Sequence, residues 1–171
     1  MKSKNILKIM YVFAWLAFIG LCIQTGAIIF SYLVSLNNPE ASKNLFGGLN
    51  LSEYYNYNIT QYSVIVFYKV LLYAVEAYIA FILIKLLKDL DIKNPFNQSV
   101  SDLMKNTSIS IFILWIIAMI HNTHIQFIGK KQGFEMELFS SDFVFLAAVI
   151  FIFTKIVQRG IELQTENDLT I

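Results

Sequence analysis

The stretch Phe143–Phe153 contains no polar side chain, and Ile109–Ile120 contains only Ser110. A helix built from either segment is apolar on every face and has no side to turn toward water. A soluble helical bundle needs polar stripes at helical spacing, and these segments lack them. Apolar blocks of about 18 residues or more can cross a hydrocarbon core of about 30 Å. Four such blocks are present, at about 10–36, 62–87, 108–128 and 138–157. The chain is 57% hydrophobic and only 15% charged, too little charge for a soluble domain of this length. The expected fold is an all-α membrane protein: one four-transmembrane-helix bundle over residues 1–171, with a polar tail at 158–171.

The formal net charge is +1, so no basic excess points to direct nucleic acid binding. The single cysteine, Cys22, lies inside the first apolar block and allows no internal disulfide. Lys2, Lys4 and Lys8 resemble the basic start of a signal peptide. The apolar run behind them is too long for one, and no small-residue cleavage site follows. Leu21 before Cys22 is too bulky for a lipoprotein site, so the first block reads as an uncleaved span.

Lysine and arginine placement gives an orientation. Lys2, Lys4 and Lys8 precede the first span; Lys85, Lys88, Lys93 and Lys105 flank the middle connection; Lys155 and Arg159 follow the fourth span. The other two connections mix Lys43, Lys130 and Lys131 with Glu40, Glu53, Glu135, Glu137 and Asp142. The positive-inside rule then places both termini in the cytoplasm. Tyr54, Tyr55, Tyr57 and Tyr62 are expected to form an interfacial belt. Asn50-Leu-Ser52 and Asn58-Ile-Thr60 fit the glycosylation sequon and would lie outside; were the protein bacterial, they would carry no such meaning.

The outer connections are expected to hold a small extracytoplasmic β-hairpin or sheet. Residues 124–128 and 134–138 alternate apolar and polar around the glycine-bounded turn Gly129–Gly133, and Phe46–Leu51 offers a third strand. On the inner side Pro95 ends one helix. Ser99-x-x-Asp102 reads as the capped start of the next.

Glu76 falls in the middle of the second span, with Lys69 two turns away on the same helical face and Tyr73 between them. An ionisable group at that depth nominates itself as functional, as a proton or ion relay or a ligand site. A bonded, structural carboxyl with a snorkelling lysine is the plainer reading. Gln24 of the first span lies near the level of Lys69 and is a candidate partner. His121 and His124 share a helix turn, but no third ligand stands at matching spacing, so no metal site is assigned. No nucleophile elbow, P-loop or H-E-x-x-H motif is present, so no catalytic residue, enzyme activity or cofactor is expected.

The segment Arg159-Gly160, Glu162-Leu163 and Glu166-Asn-Asp-Leu-Thr-Ile171 resembles the C-terminal signature of the bacterial family called domain of unknown function 2975, the YoaS-like membrane proteins. The inner elbow Asn94-Pro95-Phe96, between a lysine-rich helix end and a serine-containing restart, is similar too. The resemblance takes in four spans of matching order. It implies a small four-helix protein of the bacterial cytoplasmic membrane with no assigned activity, commonly encoded beside a very small helix-turn-helix regulator.

Three functions follow as expectations. The first is a regulatory membrane protein whose tail binds a cytoplasmic partner such as that regulator. Glu162, Glu166 and Asp168 would supply charge, Leu169 and Ile171 apolar anchors, and Asn167 and Thr170 the rest of the motif. The second is a small transporter or permeability component using Glu76. The third is a structural subunit of a membrane complex.

Overall fold

The computed structural model describes residues 2–90, 96–134, 138–140 and 143–168. Its helices are α1 (Lys2–Ser35), α2 (Ser52–Tyr57), α3 (Ile59–Asp89), α4 (Gln98–Gln132) and α5 (Val144–Asp168), with one 3₁₀ turn at Pro39–Lys43. Four helices contain segments long and apolar enough to cross a membrane: Asn5–Ser35, Ile59–Asp89, Gln98–Gln132 and Val144–Glu166. The chain is a multi-pass membrane protein. These helices outrun the apolar blocks because their ends stay helical after the side chains turn polar. The 35 residues of α4 rise about 52 Å, well beyond a hydrocarbon core.

Asparagine starts several of these elements. Asn58 Oδ1 accepts from the N–H groups of Thr60 and Gln61 and opens α3. Asn38 does the same for the 3₁₀ turn. Asn97 Oδ1 accepts from the Val100 N–H at 2.8 Å, so the cap of α4 lies two residues before Ser99. The Ser99 hydroxyl donates instead to Asp89 at 2.7 Å. Asn50 Oδ1 accepts from the Ser52 N–H and hydroxyl. Both sequon asparagines thus serve local backbone structure.

The expected β-hairpin is wrong. Among the described residues there is no strand, and 124–132 continues α4. Ala118, His121, Ile125 and Ile128 are all buried. Their spacing of three, four and three prolongs a helical stripe, and it outweighs the alternation of Ile125 with Phe127, which is 71% exposed. The presumed turn is a helix C-cap. Gly133 has φ +75°, and its N–H donates to Gly129 C=O at 2.7 Å, as does the Phe134 N–H at 3.2 Å. Lys130 and Lys131 occupy the last turn, where the helix dipole favours cations. Residues 135–137 of the second arm lie outside the described residues. The third strand is absent as well: Leu45 N–H donates to Leu49 C=O at 2.9 Å, closing a tight turn with Gly47 and Gly48 at positive φ.

The chain divides into two compact units. We call residues 19–77 and 114–141 the cap unit, and residues 1–18, 78–113 and 142–171 the tail unit. The cap unit has a core of Ile28, Leu45, Leu51, Tyr54, Tyr62, Ile65, Val66, Ile125 and Ile128. Tyr62, fully buried, shares a 2.6 Å hydrogen bond with the Ser35 hydroxyl. The Tyr32 hydroxyl donates to Ser63 at 2.9 Å, and Phe134 meets the rings of Tyr54 and Tyr57 edge-on. Tyr54 and Tyr62 are therefore core residues, not members of an interfacial belt. The tail unit has a smaller core of Ala14, Ile84 and Leu87.

Candidate functional site

Four residues read from the sequence as an intramembrane polar set lie in the cap unit, and the fold sorts them into two places. Gln24 and Tyr73 line one cavity of about 230 Å³, with Ile28, Phe46, Gly47, Gly48 and Leu49. The positive-φ glycines bring backbone to the cavity wall, and the polar groups come from α1 and α3. Lys69 is 2% exposed; it does not snorkel. Its ammonium lies 4.4 Å from the centre of the Phe139 ring, a cation–π contact that gains strength where water is excluded. Tyr73 joins the two places, because its ring also meets Phe139 edge-on. Glu76 is half-buried, and the polar partner expected on another helix is not found among the described residues.

Phe139 is held in place by one side chain. Asn122 Nδ2 donates to Phe139 C=O at 2.8 Å, and the Phe139 N–H donates to Asn122 Oδ1 at 3.0 Å. The primary amide thus offers a donor and an acceptor together, as the backbone of a neighbouring strand would. His121, fully buried, packs edge-on against Phe139 and Tyr68. His124 pairs through Nε2 with Gln61 Oε1 at 2.7 Å. Both histidines belong to this aromatic and hydrogen-bonded layer; among the described residues they join no metal-ligand cluster. Glu135 and Glu137 lie outside the described residues. In the core of the cap unit, burial pushes the Tyr54 phenol up from its ordinary 10.0, and the charge of Glu53 adds to the rise.

Sequence reasoning missed Phe139 and Asn122. Phe139 is separated from Lys69 by the rest of α3 and the whole of α4, so periodicity cannot pair them. Asn122 sits in the polar run His121-Asn122-Thr123-His124 near the end of the third apolar block, and the cost of such groups in lipid was the available signal.

In the tail unit, α5 remains helical through Asp168. Arg159 Nη1 donates to Glu162 at 2.7 Å and lies 3.8 Å from Glu166, so the three charges run along one helix edge. The side chains of Asn167 and Asp168, and all of Leu169, Thr170 and Ile171, lie outside the described residues. At Gly160 an added Cβ would stand 2.5 Å from the Phe96 ring. Only glycine permits that approach. Phe96 of the inner elbow therefore rests on Gly160, and two separated parts of the sequence signature meet in space. Asn94 and Pro95 lie outside the described residues.

The profile of a protein family of unknown function, DUF2975, matches residues 50–171. The chain belongs to the DUF2975 family. The match begins after α1, so it takes in three of the four spans and not all four. It covers both Phe96 and Gly160. No curated protein and no solved structure matches the chain.

Proposed function

We propose that this DUF2975 protein is a non-enzymatic regulatory protein of the bacterial cytoplasmic membrane. Both termini lie in the cytoplasm, and the extension of α5 captures a soluble partner such as a small helix-turn-helix protein. The lysine distribution supports the orientation. The observation that carries the reading is the exposed acidic edge of α5. Glu162 and Glu166 keep side-chain exposures of 60% and 63% although Arg159 reaches both. Leu163 beside them is 45% exposed. A helical display loses less freedom on binding than a loose tail does. Carboxylates set along one edge suit a basic, phosphate-binding surface and would compete with nucleic acid for it.

The test is truncation after Thr165 in the full-length, detergent-extracted protein. Melting should stay close to wild type, because the Glu166 side chain at the cut is 63% exposed. Capture of the cytoplasmic partner should fall, and its charge-driven part should fade with salt, since exposed charges are screened over about 8 Å at physiological ionic strength. Glu76→Gln should leave capture intact. If truncation lowers the melting temperature and leaves binding unchanged, the tail is a brace under the helices and this reading fails.

A further inference from the structure

We propose that the groove between the first turns of α1 and the last turns of α3, within the tail unit, binds the headgroup of one anionic phospholipid. The groove has a volume of about 610 Å³ and is lined by Asn5, Leu7, Lys8, Tyr11, Leu87 and Lys88. That volume is in the range of sites for small ligands.

Three observations carry the assignment. First, the charge is of one sign. Lys8 comes from α1 and Lys88 from α3, both are exposed, and no carboxylate is among the described residues that line the groove. The nearby Asp89 carboxylate accepts from the Ser99 hydroxyl, and the Lys85 ammonium lies over the Phe81 ring at 4.5 Å. Lys88 is thus the lysine that this end of α3 presents to the groove. Second, the floor is fixed. Leu87 belongs to the small core of the unit, and Leu7 and Tyr11 pack against that core. Asn5 adds an amide at the same end. Third, the flank is apolar. Val12 and Trp15, which follow Lys8 and Tyr11 on the same face of α1, are 54% and 37% exposed, the kind of surface that acyl chains cover. Inorganic phosphate would satisfy the lysines and leave this flank bare; a phospholipid satisfies both. Basic pockets between transmembrane helices are where anionic headgroups settle. Which leaflet supplies the lipid rests on the orientation proposed above; the binding itself does not.

The experiment uses the full chain in a zwitterionic detergent, with retained lipid counted by native mass spectrometry. The probes are dioleoylphosphatidylglycerol, dioleoylphosphatidylcholine and inorganic phosphate. Wild type should retain one phosphatidylglycerol per chain in preference to phosphatidylcholine, and phosphate should not displace it. Each of Lys8→Gln and Lys88→Gln should weaken retention about 5-fold and the pair about 25-fold, as expected for roughly 1 kcal/mol per lysine near an anionic headgroup. The pair Lys130→Gln and Lys131→Gln, which removes equal charge elsewhere, should leave retention unchanged, and Lys8→Arg with Lys88→Arg should preserve it. Equal losses in the two glutamine pairs would reduce the effect to net charge and overturn the site. Equal retention of phosphatidylcholine, displacement by phosphate, or failure of the arginine pair in a normally melting protein would overturn it too. None of these readouts involves the cytoplasmic partner, so the site and the regulatory reading fail separately.

Discussion

The cap unit buries nine side chains in its principal core, among them two tyrosines and three residues from the connection between α1 and α3. The principal core of the tail unit is Ala14, Ile84 and Leu87. The cap unit carries a long connection whose backbone must be satisfied and whose apolar groups must be hidden from water. It does this with a helical turn, asparagine caps and hydrogen-bonded tyrosines. The tail unit joins helices that lipid can already solvate. Without a hydrophobic gradient between helix and acyl chain, contact there depends on close approach at small residues. Phe96 on Gly160 and the Ser108 hydroxyl on Ala147 C=O at 2.8 Å are of that kind. Two solvents thus select two kinds of core within one chain.

This contrast is breakable. The largest effect should come from Tyr62→Ala, which opens a cavity in the cap core and leaves Ser35 only its bond to Tyr32 C=O. We expect a loss of about 3–5 kcal/mol, against about 2 kcal/mol for Leu87→Ala in the tail unit. Denaturant unfolding in detergent measures both, and equal losses would erase the distinction between the cores. Next comes Gly160→Ala. The Phe96 ring must move, at a cost of about 1–3 kcal/mol. In a Phe96→Ala background most of that cost should vanish; additive losses would show that the two do not share one contact.

A smaller effect sharpens the comparison by pH. The Tyr54 phenol has its pKa raised above 10.0 by burial, so the fold favours its neutral form. That contribution is complete below pH 10 and is lost as pH rises through the folded value. Alkaline melting curves of wild type and Tyr54→Phe should therefore diverge above pH 10, with the variant falling less. Parallel curves would remove Tyr54 as the cause. The smallest effect is Arg159→Ala: its partners are exposed, so melting should not change. A lowered melting temperature would mean that the charged edge of α5 braces the tail unit.

Hydropathy made the four spans legible because apolar blocks of that length have few other homes. It failed at the end of α4, where the same letters satisfy two periods. Ile125 and Phe127 fit a strand; Ile125 and Ile128, continued from Ala118 and His121, fit a helix. The longer pattern won, and Lys130-Lys131-Gln132-Gly133 had the composition of a helix stop all along. Lys69, Glu76, Gln24 and Tyr73 were visible as polar letters in apolar blocks. The surroundings of Lys69, Gln24 and Tyr73 were not, because a cation–π contact to Phe139 and a shared cavity at Gly47 and Gly48 are fixed by the tertiary path. The meeting of Phe96 with Gly160 was legible only as two fragments of one signature.

The Asn122 amide gives the span between α4 and α5 a fixed point that does not depend on secondary structure. Phe139 is held by a donor and an acceptor on one side chain, so no partner strand is required there, and no register. The ring over Lys69 is thus seated by two bonds to its own backbone.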